Sequence, residues 1–212
     1  MMRNLLFVLV IAPNFLAAGL ARAADVMAPD ALAKSVTDEV LAVIRADKDI
    51  QAGSHKKVYE LIETRIAPHF NFTTMTRLAM GKNWIQANPD QRKALTGEFR
   101  ALLARTYTTA FTQYSNQTIE YRPVKLAPND DDVMVKTLIK QPSGQPVAVD
   151  YSMEKTDQGW KVYNVKIEGI SLVENYRNTF NTEVQKSGID GLIRTLAEKN
   201  KALVQQAQAT GK

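Results

Sequence analysis

Few residues in this chain could do acid–base, nucleophilic or metal chemistry, and their spacing argues against all three. Among 212 residues there is no cysteine, and there are two histidines, His55 and His69. Neither has a second histidine or clustered carboxylates at ligand spacing, so no zinc or iron site is expected. A Ser-His-Asp triad would need one of them, and no glycine-framed nucleophile elbow occurs. His69, between Pro68 and Phe70, reads as a helix-end or core histidine, and His55, beside Lys56-Lys57, as a solvated first-turn residue. Asp130-Asp131-Asp132 lacks the spaced oxygens and the glutamate of a calcium loop and reads as a solvated turn. Asp150 has one sharper option, a general base inside an α+β cone. Strand alternation points it away from the Val147/Val149/Tyr151 face, however, so neither an enzyme nor a cofactor is expected.

The first residues read as a targeting segment. Met1-Met2-Arg3-Asn4 is a short basic start, Leu5 to Leu20 is mostly apolar, and Ala21-Arg22-Ala23 is a small-x-small cleavage site. That order is a secretory signal peptide over residues 1–23. The apolar run is shorter than the roughly 18 to 20 residues a span requires, and Pro13-Asn14 interrupts it. Residues 24–212 are expected to form one exported domain that relies on packing, since it has no cysteine for disulfides. Arg3 and Arg22 precede the cut, so the net charge of +5 falls to a mild +3, with 25 Lys and Arg against 22 Asp and Glu. That suits weak attraction to anionic lipid or an acidic partner and is too little for nucleic acid.

Two helical blocks enclose one strand block. Pro29 to about Ala46 carries Leu32, Val36, Val40, Val43 and Ile44 at helical spacing. Ser54 caps a second helix with Val58, Leu61, Ile62 and Ile66, ended by Pro68. Asn71 caps a third with Met75, Leu78 and Ala79, ended at Gly81. Asn88-Pro89-Asp90-Gln91 is a capping-box start for the strongest helix, whose broad face runs from Leu95 through Phe99, Leu102, Leu103, Tyr107, Ala110 and Phe111 to Tyr114. The period then changes to two. Strands are expected at Ile119–Tyr121, Val133–Lys140, Val147–Glu154 and Trp160–Ile167, joined by turns at Asn129-Asp130-Asp131, Pro142-Ser143-Gly144 and Asp157-Gln158-Gly159. Ile170, Val173, Tyr176, Phe180 and Val184 begin a helix that Gly188 stops. Asp190 caps a last one carrying Leu192, Ile193, Leu196 and Leu203, and Lys199 to Lys212 is expected to fray.

The fold class is therefore α+β: a curved antiparallel sheet of about four strands covered by N- and C-terminal helices. Val147, Val149, Tyr151 and Met153 face the helices, and Asp150 and Glu154 face water. Periodicity alone cannot separate a filled core from one that opens around a ligand. The tyrosines point weakly to a pocket, because a buried hydroxyl needs a partner.

A resemblance favours the pocket. Gly159-Trp160-Lys161-Val162-Tyr163-Asn164-Val165, then Ile167-Glu168-Gly169-Ile170-Ser171-Leu172-Val173, Asn175-Tyr176-Arg177 and Phe180 resemble the signature of the MlaC, or toluene-tolerance, family. Ser187-Gly188-Ile189-Asp190-Gly191-Leu192-Ile193, Gly81-Lys82-Asn83-Trp84, Gln91, Phe99 and Leu102 to Tyr107 are similar to further segments, in order, from about Pro29 to Lys201. The resemblance implies a nuclear-transport-factor-like cone (NTF2-like) and a monomeric periplasmic phospholipid carrier of a Gram-negative bacterium. It implies two partners that together maintain outer-membrane lipid asymmetry: an outer-membrane lipoprotein–porin complex, and an inner-membrane ABC transporter complex with its substrate-binding-domain ring. The alternatives are a carrier of another apolar lipid, such as a hopanoid, or a small-pocket enzyme of the same cone.

The tails would then lie against strand residues Val147, Val149, Tyr151, Tyr163, Val165 and Ile167 and helix residues Leu102, Leu103, Tyr107, Phe111, Ile170, Val173 and Tyr176. These are chosen by periodicity inside the matching segments. Trp84 and Trp160 read as core anchors. Lys56-Lys57, Arg77-Lys82 and Arg92-Lys93 read first as ordinary solvated faces, with docking of partners or steering to headgroups as the alternative. Such a carrier needs a pocket at or above the usual range of about 300 to 1,000 Å³.

Overall fold

The computed structural model describes residues 26–112, 117–142 and 144–210. The targeting segment, Tyr114 and Ser143 lie outside these residues, as does the side chain of Ala110. Helix α1 (Pro29–Ala46) has Pro at its first position, and α2 (Lys48–Gln51) follows, capped by Asp47. Ser54 caps α3 (His55–Leu61), which loosens into a π-helical turn (Ile62–Ile66) and a 3-10 turn (Ala67–His69). Asn71 caps α4 (Phe72–Met80) by accepting from the Thr74 N–H at 3.1 Å. After α5 (Asn83–Gln86) comes α6 (Pro89–Thr112). Its capping box is reciprocal: Gln91 N–H donates to Asn88 Oδ1 at 2.8 Å, and Asn88 N–H donates to Gln91 Oε1 at 3.0 Å. Two backbone donors that the helix cannot satisfy itself are thereby paired.

The sheet is an antiparallel meander in the order β1-β2-β3-β4-β5: β1 (Thr118–Tyr121), β2 (Asp132–Lys140), β3 (Val147–Thr156), β4 (Gly159–Ile167) and β5 (Ile170–Ser171). The fold is α+β. The fifth strand corrects the expected four. Glu168 (φ 51°) and Gly169 (φ 79°) take left-handed backbone between Ile167 and Ile170, which makes a two-residue hairpin turn and keeps Ile170 in the sheet. The C-terminal helix starts at Leu172, two residues later than its apolar spacing suggests.

Helix α7 (Leu172–Thr210) is broken at Gly188, whose φ of 73° and ψ of −179° fall outside helical space. Glycine takes that backbone without the steric cost a Cβ would add. The segment after the break does not fray at Lys199; it stays helical to Thr210. Asn200 fastens it, donating from Nδ2 to the Glu98 carbonyl at 2.9 Å and to Glu98 Oε2 at 2.8 Å. Asp190 does not act as the expected cap and instead accepts from Gln91 Nε2 at 2.8 Å.

Apolar packing falls into three clusters. One joins α4, α6 and α7 around Met75, Leu95, Phe99, Phe180 and Leu192. A second joins α1, α2 and α3 around Val40, Ile44, Ile50 and Val58. The third lies on one face of the sheet around Val135, Met153, Trp160 and Val162. Trp160 is the buried anchor expected. Trp84 is only half-buried, with the Arg92 guanidinium 5.3 Å from its ring centre. Replacing Asn88 with Ala removes one half of the α6 cap. Urea unfolding is expected to show a loss of about 1 kcal/mol, and an unchanged midpoint would contradict the role given to the capping box.

Candidate functional site

The three clusters do not merge because a cavity of about 580 Å³ lies between them. Its floor is the inward face of the sheet: Ile119 of β1, Ile139 of β2, Val147, Val149, Tyr151 and Met153 of β3, and Val162, Val165 and Ile167 of β4. The roof is α1, with Leu32, Val36, Val40 and Ile44 four residues apart on one stripe. Leu103, Tyr107 and Phe111 of α6 form a second stripe of the same spacing. Ile62 and Ile66, then Phe72 and Met75 of α4, close the side. The volume falls inside the ordinary ligand range.

Eight of the residues selected from sequence line this space: Leu103, Tyr107, Phe111, Val147, Val149, Tyr151, Val165 and Ile167. Five do not, which corrects the expected lining. Leu102 is one residue round the helix from Leu103 and is buried with Phe99 and Phe180. Val173 and Tyr176 belong to the same helix–helix core, where the Tyr176 ring meets Phe99 edge-on at 5.0 Å. The broad apolar face of α6 thus serves two neighbours, the cavity on one side and α7 on the other. Ile170 is 66% exposed at the hairpin.

Tyr163 is displaced by a β-bulge. Ser152 pairs with Asn164 but Met153 pairs with Val162, so Tyr163 is an extra residue without a partner. One inserted residue inverts the facing of everything before it. Trp160 and Val162 therefore face the same way as Val165 and Ile167, and Tyr163 donates its hydroxyl to Asp132 Oδ2 at 2.7 Å outside the cavity. Burial and the Asp132 carboxylate push the Tyr163 phenol up to about 12. The roof helix was the larger omission from the candidate set. Its stripe is legible in sequence, but nothing there shows whether α1 or α6 covers the sheet.

The walls carry no net charge. No Asp, Glu, Lys or Arg is among the described lining residues. Burial pushes the Tyr151 phenol up to about 12, against a smaller lowering by Thr137; burial also raises Tyr107. His69, at the edge of the lining, is lowered, first by burial and then by Lys161. All three side chains are neutral at pH 7. Asp150 is not part of the lining and pairs in register with Lys136 and Lys166 across the strands. Glu154 is tied more closely than expected, accepting from Asn71 Nδ2 at 2.7 Å. The arrangement suits a neutral, elongated apolar ligand and offers no carboxylate base for proton abstraction.

A depressed His69 means the fold prefers the neutral ring. Its contribution to stability is whole above the ordinary value of 6.5 and is lost as pH falls through 6.5 toward the depressed one. An NMR titration of the ring is expected to give a midpoint below 6.5, and His69→Gln to shallow the acid limb of the stability curve. A midpoint at or above 6.5 would overturn this.

Comparison with known proteins agrees with the geometry. A family profile described as MlaC protein matches residues 34–198. The chain is 24% identical over 163 residues to the toluene tolerance protein ttg2D of Pseudomonas putida, covering 76% of this chain and 75% of that one. It is 22% identical over 173 residues to the intermembrane phospholipid transport system binding protein MlaC of Haemophilus influenzae, covering 80% and 81%. A solved phospholipid-binding protein from Ralstonia solanacearum, in complex with a phospholipid, superposes with a TM-score of 0.77 at 40% identity, over 82% of this chain and 98% of that one. With most of its length matched in sequence and in fold, the chain belongs to the MlaC family.

Proposed function

We propose that this protein is a phospholipid carrier of the periplasm, exported by residues 1–23, and not an enzyme. The acyl tails occupy the cavity and the headgroup stays in solvent. The observation that carries this reading is the uncharged, apolar space of about 580 Å³ between sheet and helices. Likeness to a relative solved with a phospholipid supports it. Two tails hold roughly thirty methylenes, each costing about 0.8 kcal/mol to expose. The gross penalty exceeds roughly 20 kcal/mol, so unassisted crossing of an aqueous layer is very slow. A carrier must hide the tails, while the headgroup is already well hydrated and costs little to leave outside. Few fixed polar contacts are then needed, and the lining has few.

The name of the Haemophilus influenzae relative supports traffic between membranes. In that role the protein moves lipid between an outer-membrane lipoprotein–porin complex and an inner-membrane ABC transporter complex, and so maintains lipid asymmetry. Among the described residues no helix is long and apolar enough to cross a membrane.

The protein purified from a bacterial periplasm is expected to yield diacyl phospholipid on solvent extraction and mass spectrometry. Val36→Glu puts a carboxylate on the cavity roof, where burying an unpaired charge costs several kcal/mol. Co-purified lipid should fall roughly tenfold or more with the circular dichroism unchanged. A wild-type extract containing no lipid, or a rigid polycycle in place of diacyl lipid, would refute the phospholipid reading.

A further inference from the structure

The corner where α4, α5 and α6 meet carries the most exposed large apolar side chain among the described residues. Ile85, on the four-residue helix α5, is 81% exposed. It is exposed on a rigid base. Asn83 is buried and donates from Nδ2 to Asn181 Oδ1 at 3.3 Å, and Ala87 is buried as well. Arg92 donates to the carbonyls of Trp84 and Ile85 at 3.2 and 3.4 Å, and its guanidinium lies over the Trp84 ring.

Five basic residues lie on the elements that meet at this corner. Lys82 stands at the start of α5. Arg177 packs beside Gly81 and donates to the Leu78 carbonyl at 3.0 Å. Arg77 lies one turn earlier on α4, and Lys93 follows Arg92. The ion pairs among the described residues engage Lys34, Lys56, Lys57, Arg65, Arg100 and Lys140, and none of these five. Acids also lie near: Asp90 at the start of α6, Asp190, which accepts from Gln91, and the exposed Glu174, three residues before Arg177 on α7.

We propose that this corner docks the protein reversibly on an anionic membrane surface, with Ile85 entering the interface, Trp84 at headgroup depth, and Arg77, Lys82, Arg92, Lys93 and Arg177 over the anionic headgroups. A protruding aliphatic residue beside a tryptophan, with basic residues on the adjoining elements, is the chemistry of an interfacial anchor. A protein partner fits less well, because a specific interface needs a broad complementary patch of about 800 Å² a side, whereas this is a single knob. One inserted aliphatic side chain gives weak, reversible binding. The inference does not depend on the carrier reading, since it concerns a surface and not the cavity.

The test is flotation of the full-length mature protein with vesicles of phosphatidylglycerol and phosphatidylcholine, against vesicles of phosphatidylcholine alone. Binding is expected on the anionic vesicles only and should weaken with added salt. Ile85→Glu, and separately Lys82→Glu with Lys93→Glu, should lower partitioning roughly tenfold. Lipid co-purifying with these variants should be unchanged, which keeps this result separate from the fate of the carrier proposal. The proposal is overturned if the wild type does not float with anionic vesicles, or if the variants float equally well. It is also overturned if Ile85→Glu impairs only binding to a purified protein partner.

Discussion

Two asparagines hold the helical layer to the sheet, and the cavity depends on that attachment being polar and local. Asn71 donates its N–H to the Val162 carbonyl at 2.8 Å and its side-chain amide to Glu154, while Phe70 bridges to Val162 alongside β4. Asn164 Oδ1 accepts from Ser171 Oγ at 3.0 Å and from the Val173 N–H at 3.4 Å, at the start of α7. Buried hydrogen bonds are costly to leave unmade, so such contacts fix a distance as well as an energy. These fastenings hold α4 and α7, while α1 itself packs on the sheet cluster through Leu32 and Ala33. A layered fold held only by interdigitated apolar side chains would close onto itself at crystal-like density.

The core is accordingly divided. The α4–α6–α7 cluster is closely packed and aromatic, with Phe99, Tyr176 and Phe180 ring to ring. It needs no ligand to be complete. The α1–α3 cluster and the sheet cluster face each other across the space, with Leu32 and Ala33 of α1 also packed on the sheet cluster. A ligand that fills this space binds the folded state and not the unfolded one, and so stabilises the fold by mass action. The docking corner proposed at α5 sits at the end of α4, the helix whose Phe72 and Met75 form a side wall.

Much was legible in the sequence because it rests on local physics. The capping box at Asn88 and Gln91, the Asn71 cap, the break at Gly188, the meander and its turns, and the inward face of Val147, Val149, Tyr151 and Met153 all follow from backbone preference and period. So does the absence from the cavity of Asp150, whose place across from Lys136 and Lys166 is a matter of strand alternation. The differences have two causes. Tyr163 was misplaced because a bulge adds a residue without changing the apparent alternation of the sequence. Leu102, Val173 and Tyr176 were misassigned because a residue facing a helix and a residue facing a cavity are equally apolar.

The amino-acid sequence determined the type and order of nearly every element and the uncharged character of the surfaces they would bury, since each depends on residue type within one turn or a few strand positions. Only the tertiary structure decided that α1 is the roof, that β4 is rephased at Tyr163, and that the buried surfaces stand apart instead of closing. Those outcomes depend on contacts between elements far apart in the chain, such as Asn71 of the α4 cap with Glu154 of β3, and no local pattern records them.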